Sequence, residues 1–371
     1  PMMKSLERLI SDTPSAPKDF IVVNGSLLSR KKSNWKKNRG VFLSDFITLS
    51  LDVMSGDKDP EASINAALNL LELRKDVKIF LVGNKEIIEK QTSGKIGNRL
   101  QILHADEVVQ MSDPPVVVLR KKKQSSMRRA VDLVKDGASQ ACVSSGNTGA
   151  LMAISKYVLK TIPTIDRPAL MTSIPTIKGS TYVLDLGANS NCTPEQLYQF
   201  ALMGDVVARE IKGIDQPRIG LLNMGEEAGK GNQVIKEAAN LMNSSSINFI
   251  GYIEGNNIVE DKADVVVTDG FTGNIALKTV EGSVRLVFKF VEDAFNANAY
   301  NKFSSMVSKP ALDLAKDKID PRRYNGALLL GLNGVVVKSH GDSDAFGVHH
   351  ALITAIEEVQ SEIVSKLIGA F

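Results

Sequence analysis

Four short apolar runs in this chain each end in a loop rich in glycine and asparagine, and a helical pattern follows each loop. The loops are residues 144–149, 185–189, 223–232 and 268–274. Glycine lets the backbone turn sharply and approach a ligand closely. A helix that begins just after such a loop directs unpaired N–H groups toward its N-terminus, where an anion is favoured. The pattern therefore predicts one crevice that binds anions, built on the ends of parallel strands.

Two lysines and one histidine are the candidates for phosphate and proton chemistry. Lys338 and His340 stand two residues apart in a strand-like run, so on an extended strand they share a face. A cation beside a titratable imidazole suits phosphate orientation with proton transfer, and a loop histidine bonded to backbone is an equally good interpretation. Lys230 lies between two glycines, as in a phosphate-binding loop. The patterns GxxxxGK[ST] and GxGxxG are absent, which argues against nucleotide and dinucleotide binding.

Cysteine and aspartate residues offer weaker candidates. Cys142 lies in a strand-like run and is interpreted as an inert buried cysteine. Cys192 follows a glycine loop, but no partner base is visible for a nucleophile. Four aspartates stand at strand ends: Asp52, Asp57, Asp185 and Asp269. Their spacing matches no metal motif, so we expect them to cap helices or organise loops and predict no metal site.

Apolar runs alternate with helical patterns along most of the chain. Strands are predicted near 47–54, 77–83, 100–103, 140–143, 169–174, 181–186, 218–222, 247–252 and 263–268. Helices are predicted near 61–74, 123–136, 147–160, 194–212 and 230–243. This alternation is typical of an α/β fold with a mostly parallel sheet and helices on both faces. Ligands of such sheets bind beyond the carboxyl ends of the strands, where the glycine loops fall.

Residues 271–325 break this alternation, because they are long and contain no clear strand. Two helices that project from the sheet fit the pattern. The first has one apolar side, which includes Leu286 and Phe290, and we favour its packing on the core or on a second subunit. The second helix has mixed polarity and is the better candidate for membrane contact.

Charge and cysteine content exclude several classes of protein. The 371 residues carry a formal net charge of +3 and include two cysteines. So few cysteines argue against a disulfide framework and favour a reducing cytoplasm. No apolar run approaches the roughly 20 residues that cross a bilayer. Residues 1–45 are basic, and we interpret them as a disordered leader rather than as a nucleic-acid-binding or membrane-binding element. The ordered domain is then residues 46–371.

In their order and spacing, the motifs of this chain resemble the PlsX family, the phosphate acyltransferases of bacterial phospholipid synthesis. The resemblance covers roughly residue 49 to the C-terminus, and it is specific because the motifs occur together. They are residues 52–57, 145–152, 167–170, 184–189, 218–227, 230–232, 264–274 and 331–341.

The resemblance implies a reaction of acyl-[acyl-carrier-protein] with inorganic phosphate, which gives acyl phosphate and free carrier protein without a cofactor. It implies a homodimer with a three-layer α/β/α fold like that of isocitrate and isopropylmalate dehydrogenases and phosphotransacetylases. It also implies a cytoplasmic protein that associates peripherally with the inner face of the cell membrane through the projecting helices. There a glycerol-3-phosphate acyltransferase of the PlsY type takes the product. No nucleic-acid partner is expected.

Site residues follow from the loops and the resemblance together. Catalysis is predicted for Lys230, Asn232 and His340. Binding of substrate and phosphate is predicted for Asp52, Gly56, Asp57, Ser145, Gly146, Asn147, Thr148, Gly149, Asp185, Gly187, Asn189, Asp269, Gly270, Thr272, Gly273, Asn274 and Lys338. We expect lysine to neutralise phosphate, and backbone N–H groups with the amides of Asn189, Asn232 or Asn274 to stabilise the oxyanion. His340 would handle the proton of the leaving thiolate.

Two positions depart from the family pattern. Lys58 stands where the family usually has histidine, and Thr193 stands where a lysine is frequent, so no role transfers to either. Two alternatives remain open: a phosphate acetyl- or butyryltransferase that uses acyl-CoA, and a non-catalytic scaffold for lipid-synthesis enzymes. The sequence does not specify the preferred acyl chain length or the general acid or base.

Overall fold

A computed structural model describes residues 20–23, 26–29, 46–93, 97–227 and 229–371. Contacts divide the chain into residues 1–44 and residues 45–371. In the first unit, β1 (Phe20–Val23) pairs antiparallel with β2 (Ser26–Ser29). The sequence predicts that residues 1–45 are disordered. Apart from these two strands, that segment lies outside the described residues.

The second unit holds an eleven-stranded sheet and its helices. The strands are β3 (Ile47–Asp52), β4 (Val77–Gly83), β5 (Leu100–His104), β6 (Ala141–Ser144), β7 (Ala169–Pro175), β8 (Ser180–Leu184), β9 (Ile219–Leu222), β10 (Phe249–Ile253), β11 (Val265–Val267), β12 (Ala327–Leu330) and β13 (Val335–Lys338). The α-helices are α1 (Pro60–Leu73), α2 (Lys85–Thr92), α3 (Pro115–Lys121), α4 (Ser126–Lys135), α5 (Thr148–Leu159), α6 (Pro194–Lys212), α7 (Gln233–Asn243), α8 (Gly270–Asn296), α9 (Ala299–Ile319), α10 (Ala345–Gln360) and α11 (Ile363–Ala370).

The sheet consists of two parallel halves that run in opposite directions. Its strand order is β10-β9-β11-β8-β7-β12-β13-β6-β3-β4-β5. The strands from β10 to β8 are parallel to one another, and so are the strands from β13 to β5. Between them, β7 and β12 pair antiparallel with both neighbours. The prediction of a mostly parallel sheet is confirmed, but the carboxyl ends of the two halves lie at opposite edges.

Apolar side chains on both faces of the sheet produce the three layers. In β13, Val335 and Val337 belong to one core, whereas Val336 belongs to the other. Helices α1, α6, α7 and α10 cover the first face, and α3, α4 and α5 cover the second. Each large aliphatic side chain that is fully buried in this way contributes roughly 1.5–3 kcal/mol of hydrophobic free energy. The three-layer α/β/α architecture is thus confirmed.

The helix predicted at 123–136 is confirmed as α4, whereas α3, which precedes it, had no counterpart in the sequence prediction. Helix α3 begins at Pro115, whose ring fits the first turn, and it ends at Lys121. Ser125 then caps α4 by accepting the N–H of Arg128 at 3.4 Å. Strand β12 had no counterpart in the sequence prediction.

Helices α8 and α9 form the projecting pair that the sequence predicts. Only Gly270, Gly273 and Glu281 are buried in α8, and no residue is buried in α9. Phe290 is 63% exposed and Phe303 is 66% exposed. The prediction that the apolar side of α8 packs on the core is therefore wrong beyond Glu281. The alternative prediction, that this side packs on a second subunit, stays a prediction. Among the described residues, no helix is long and apolar enough to span a bilayer.

Candidate active site

The predicted site residues form two clusters at opposite edges of the sheet. The Lys338 cluster, after β3, β6 and β13, contains Asp52, Gly56, Asp57, Ser145, Gly146, Asn147, Thr148, Gly149, Lys338 and His340. The Asp185 cluster, after β8 and β11, contains Asp185, Gly187, Asn189, Asp269, Gly270, Thr272, Gly273 and Asn274. Adjacent strand ends therefore do not form the single crevice that we expected, because β7 and β12 reverse the chain direction between the halves.

Lys338 is the last residue of β13, and the loop after β6 encloses its side chain. The residue is 8% exposed. Its Nζ donates to the carbonyl oxygen of Ser145 at 3.3 Å and to that of Ser339, and it forms no ion pair with any residue that the structure describes. Burial lowers the pKa of this amino group to about 8, and the charge of Lys278 adds to the effect, while the charges of Asp57, Asp342 and Asp52 oppose it. A buried ammonium group without a carboxylate partner is suited to bind an anion.

Asp52 ends β3 and supports the same edge from beneath. It is fully buried, and its Oδ2 accepts the hydroxyl of Ser144 at 2.7 Å, while Oδ1 accepts the N–H of Met54 at 3.3 Å. Burial raises the pKa of this carboxyl, and the hydroxyls of Ser126, Ser55 and Ser144 oppose that shift. Because its oxygens point at neighbouring loops, Asp52 holds the ends of β3 and β6 together.

The loop after β6 presents an unsatisfied hydroxyl next to Lys338. The Oγ of Ser145 is buried and has no hydrogen-bond partner in the described part of the chain. Leaving such a group unpaired costs about 1–3 kcal/mol. Glycine is required on both sides of it: a Cβ at Gly146 would lie 2.7 Å from the Cβ of Ser55, and Gly56 has a φ of +126°. The loops thus pack closely around a polar group that a ligand can satisfy.

Three charged side chains surround the ring of His340. Its Nε2 lies 3.0 Å from Glu281 Oε1 and 3.2 Å from Lys278 Nζ, and its Nδ1 lies 3.4 Å from Asp342 Oδ1. Burial raises the pKa of Glu281, but the hydrogen bonds and charges of His340 and Lys278 outweigh burial and keep the pKa below its usual value. Strand β13 ends at Lys338 and does not include His340, so the prediction that these two side chains share one face of a strand is wrong. The imidazole is instead oriented by helix α8.

Asn325 fixes the loop that carries His340. Its Oδ1 accepts the backbone N–H of His340 at 2.9 Å. The two hydrogens of its Nδ2 are shared among three acceptors, Ser339 Oγ, Ser343 Oγ and the carbonyl oxygen of Gly347, at 2.8, 3.1 and 2.7 Å. One buried amide therefore connects the turn after β13 to the start of α10 and holds the backbone of His340 in a fixed position.

The N-terminus of helix α5 lies at the same edge as Lys338. Asn147 Oδ1 caps the helix by accepting the N–H of Ala150 at 2.9 Å, and its Nδ2 donates to the carbonyl oxygen of Met111. Asn147 is therefore occupied in both halves of its amide. The first two N–H groups of the helix, beginning with Thr148, lie outside the helical hydrogen bonds and can meet an anion.

Asp185 organises the opposite cluster. It is fully buried, and its Oδ1 accepts the N–H groups of Leu170, Gly187 and Ala188 at 2.9, 3.2 and 3.0 Å. Its Oδ2 accepts both the backbone N–H and the Nδ2 of Asn189, at 2.7 and 2.8 Å. Burial raises the pKa of Asp185, and these donors oppose the shift. With five N–H donors on two oxygens, the carboxylate holds the loop after β8 in place.

The Asn189 amide is used up within the protein. One of its Nδ2 hydrogens goes to Asp185, and the other goes to the carbonyl oxygen of Pro168 at 2.8 Å. An NH₂ group has two hydrogens to donate. The prediction that Asn189 donates to an oxyanion is therefore wrong for this conformation, and the residue instead fixes the loop.

Helix α8 begins against the Asp185 loop. Asp269 caps it, because Oδ1 accepts the N–H of Thr272 at 2.9 Å and Oδ2 accepts the hydroxyl of Thr272 at 2.8 Å. A Cβ at Gly270 would lie 2.9 Å from Asp185 Oδ2, and one at Gly273 would overlap the Asp185 carbonyl. The two glycines thus allow α8 to start directly on this loop.

The same helix connects the two clusters. Gly273 packs on Asp185, whereas Glu281 contacts His340. These two helical positions are eight residues apart, which corresponds to a rise of about 12 Å. Asn274 lies on this helix with an exposed side chain. Although the strands end at opposite edges, α8 makes the two clusters the ends of one elongated site.

Lys230 and Asn232 lie apart from both clusters, in the loop after β9. Lys230 is exposed, and its backbone N–H donates to the carbonyl oxygen of Glu227 at 2.9 Å. Asn232 Oδ1 caps α7 by accepting the N–H of Ile235 at 3.0 Å. In the part of the chain that the structure describes, no hydrogen bond or ion pair joins these side chains to His340. Their catalytic roles stay predictions.

Neither cysteine is a reactive thiol. Burial raises the pKa of Cys142 far above its usual range, and burial, with the charges of Asp185 and Asp269, raises that of Cys192 to about 12. The thiolate, which is the nucleophilic form, is therefore scarce at neutral pH. Cys142 is buried as predicted.

Sequence reasoning missed Glu281, Lys278 and Asn325. Glu281 and Lys278 lie in a long amphipathic helix, where charged residues are ordinarily solvated. Asn325 follows a short 3-10 helix at Pro321–Tyr324 without any motif around it. A buried glutamate in a helix that is otherwise mostly exposed is the signal that identifies Glu281, and it is visible only in the fold.

Comparison with known proteins finds relatives along most of the chain. The family model described as fatty acid synthesis protein matches residues 47–366. A relative from Methylococcus capsulatus, named phosphate acyltransferase, is 47% identical over 323 residues, which are 86% of this chain and 95% of the relative. One from Halorhodospira halophila with the same name is 48% identical over 335 residues, or 87% of this chain and 98% of the relative.

Solved structures share the fold. A phosphotransacetylase from Streptococcus pyogenes superimposes with a TM-score of 0.56 at 17% identity and covers 86% of this chain and 95% of its own. A branched-chain phosphotransacylase from Enterococcus faecalis gives 0.53 at 14% identity, with 85% and 99% covered. At such identities the likeness concerns the fold alone. The family match and the close relatives go further, and they show that this chain belongs to the fatty acid synthesis protein family, the PlsX phosphate acyltransferases.

Proposed function

We propose that this protein transfers the acyl group of acyl-[acyl-carrier-protein] to inorganic phosphate. The observation that carries the proposal is the buried ammonium group of Lys338, which has no carboxylate partner among the described residues and lies under the Ser145 loop. Relatives that are 47–48% identical bear the name phosphate acyltransferase, which supports phosphate as the anion at this position.

Phosphate binding uses three groups of the Lys338 cluster. Lys338 supplies a positive charge that burial leaves unscreened, and Ser145 supplies a hydroxyl that has no hydrogen-bond partner among the described residues. The N-terminus of α5 adds N–H groups and the positive end of its dipole. Because these groups converge from β13, β6 and α5, phosphate is held in one orientation with an oxygen free to attack.

The reaction needs no covalent enzyme intermediate, because a thioester is already activated. An oxygen of hydrogen phosphate attacks the carbonyl carbon, the new C–O bond forms, and the C–S bond breaks with its electron pair on sulfur. The proton of hydrogen phosphate ends on the thiolate, so that acyl phosphate and a free thiol result. His340 is the group that transfers this proton, since Glu281 and Asn325 fix its ring and its backbone. Holding both reactants in line accounts for much of the rate.

The developing oxyanion requires amide donors within hydrogen-bond reach of the thioester carbonyl that the phosphate attacks. Asn274 is exposed on α8, and its side chain has no hydrogen bond within the described residues. Asn232 keeps its Nδ2 available while Oδ1 caps α7. The sequence predicts that one of these amides stabilises the oxyanion and that Lys230 makes a second phosphate contact. Both assignments remain part of the proposal, and those to Asn232 and Lys230 require the loop after β9 to lie beside the Lys338 cluster in the substrate complex.

The cellular context of the proposal follows from the family. The enzyme acts in the cytoplasm as a homodimer, and the acyl phosphate passes to a membrane glycerol-3-phosphate acyltransferase of the PlsY type. Transient contact with the inner face of the membrane would use exposed apolar side chains of α8 and α9, such as Phe290, Phe303 and Met306.

A donor assay tests the proposal. Purified protein is incubated with acyl-[acyl-carrier-protein] with and without inorganic phosphate, and hydroxylamine traps acyl phosphate as hydroxamate. We expect phosphate-dependent loss of the acyl carrier and an equal amount of hydroxamate. Turnover of acyl-CoA with refusal of the acyl carrier would favour the phosphotransacetylase alternative, and no hydroxamate with either donor would favour a scaffold.

A further inference from the structure

We propose that the exposed surface of helix α3 docks the acidic carrier protein that delivers the acyl group. The α3 surface is defined here as Val116, Val117, Arg120, Lys121 and Lys123. This inference rests on the proposed function, because it names where that reaction's macromolecular donor binds. The occupant is one partner, a small protein with an acidic face around its thioester-bearing arm.

The cations of the α3 surface are unpaired. Arg120, Lys121 and Lys123 are exposed, and none of them forms a hydrogen bond or an ion pair through its side chain with a residue that the structure describes. Their neighbour Lys122 behaves differently, because its Nζ contacts Asp113 at 2.6 Å and the carbonyl oxygen of Val108 at 2.7 Å. Lys122 therefore serves the local structure, whereas the other three cations remain available to an external partner.

Apolar side chains lie on the same surface. Val116 is 60% exposed and Val117 is 39% exposed, in the first turn of α3. Protein interfaces combine an apolar centre with a charged rim, and the rim charges mainly set the association rate and the choice of partner. Two exposed valines followed by three cations that have no partner among the described residues match this arrangement.

The α3 surface borders the Lys338 cluster directly. A Cβ at Gly149 would lie 3.1 Å from the ring of Pro115, which begins α3. Met111, just before the helix, accepts a hydrogen bond from Asn147 and lies 3.0 Å from where a Cβ at Gly341 would stand. A carrier protein seated on α3 therefore has the phosphate-binding loops at the edge of its contact area.

The distance fits an arm that enters the site from this side. Arg120 lies five residues beyond Pro115, so the cations begin about 8 Å from the loop contact along the helix axis. A carrier protein whose acidic face pairs with these cations would hold its extended prosthetic arm beside the helix. The thioester can then reach Lys338 and His340 while the protein itself stays outside.

Charge reversal tests the surface against a matched control. The test variant is Arg120→Glu/Lys121→Glu/Lys123→Glu. The control, Lys75→Glu/Lys90→Glu/Lys135→Glu, makes the same change in net charge at three exposed cations elsewhere. Binding of holo carrier protein is measured by calorimetry at low and high salt. Turnover is measured with acyl-[acyl-carrier-protein] and with acyl-pantetheine, which carries the thioester without the protein.

We expect the test variant to bind holo carrier protein about tenfold more weakly at low salt, with the difference shrinking at high salt. Its KM for the acyl carrier should rise by about the same factor, and turnover of acyl-pantetheine should match the wild type. The control should stay within about twofold of the wild type. Equal losses in both variants, undiminished carrier binding by the test variant, or no carrier binding by the wild type would overturn the proposal.

Two further results distinguish this docking surface from the proposed reaction and from membrane binding. If the wild type binds holo carrier protein through these cations but yields no acyl phosphate, the proposed reaction fails and the docking surface stands. The wild type and both variants are also mixed with vesicles of phosphatidylglycerol. Loss of vesicle binding in the test variant, with carrier binding intact, would assign the α3 surface to an anionic membrane instead.

Discussion

The Nε2 atom of His340 lies 3.0 Å from Oε1 of Glu281, a residue 59 positions earlier in the chain on helix α8. Glu281 is 7% exposed, so water competes little with the imidazole for this carboxylate. A buried carboxylate on one ring nitrogen fixes the orientation of an imidazole. His340, which is proposed to move the proton, follows a strand in one half of the sheet. The helix that positions its ring follows a strand in the other half.

A double-mutant cycle should show that Glu281 acts through His340. We expect His340→Ala to lower kcat by about 10²-fold to 10³-fold and Glu281→Ala to lower it by about tenfold. In the His340→Ala background, Glu281→Ala should have no further effect on kcat, because the group that it positions is absent. The pH profile of kcat should shift in Glu281→Ala and in no variant that lacks His340.

Additive losses in that cycle would show that Glu281 contributes independently. The matched control is Glu292→Ala, which removes an exposed carboxylate of the same helix that forms an ion pair with Lys289. It should leave kcat and the pH profile unchanged, since exposed ion pairs of this kind contribute little.

Phosphate affinity should fall as the pH rises through about 8, the lowered pKa of Lys338. Above that pH the amino group loses its proton and its charge, while phosphate keeps its negative charge. Without phosphate the sign is opposite: between about 8 and the usual 10.5, the unfolded chain binds a proton that the folded chain does not, so stability rises with pH. Calorimetric titration of phosphate at pH values above about 7.5, where phosphate is already the dianion, measures the first effect. Lys338→Met is the variant that should bind weakly and lack the fall in affinity near pH 8.

Asp185→Ala should destabilise the fold far more than Asp269→Ala. The first change leaves five N–H groups without their buried acceptor, which should lower the free energy of unfolding by about 3 kcal/mol. The second removes a helix cap that is exposed to water, which typically costs about 1 kcal/mol. Urea unfolding of both variants provides the comparison, and equal losses would contradict the organising role of Asp185.

Asn232 can be tested as an oxyanion donor without losing its structural role. Asn232→Ser keeps an oxygen that caps α7, so stability should stay within about 0.5 kcal/mol of the wild type. The amide N–H groups are lost, and kcat should then fall by about 10²-fold to 10³-fold. Asn232→Ala serves as the comparison that loses both functions. Full activity of Asn232→Ser would move the oxyanion role to Asn274.

Local pattern was sufficient to predict most strands and loops. Runs such as Val335–Lys338 are apolar, short and followed by a glycine turn, which marks a buried strand and its carboxyl end. The reversal of direction at β7 and β12 could not be predicted, because an apolar run has the same composition whichever way it runs. Helix α3 was not predicted, because its 7 residues are too few to show a helical period.

The site was predictable where one loop makes it and unpredictable where distant segments meet. The glycine at 146 and Lys338 follow from strand ends and their loops. The contact between His340 and Glu281 spans two halves of the sheet, and no spacing rule connects them. The sequence also could not separate a lysine that is exposed, such as Lys230, from one that is buried, such as Lys338.

Helix α8 belongs both to the site and to the projecting pair, and this has a thermodynamic consequence. Its first turns are fixed by Asp185 and His340, whereas its far end exposes Phe290. If substrate binding favours one placement of α8, any partner that covers the far end and prefers the same placement will raise the substrate affinity. Reciprocity then requires the substrate to raise the affinity for that partner by the same factor. A single rigid helix can in this way couple substrate binding at the site to partner binding at its projecting end.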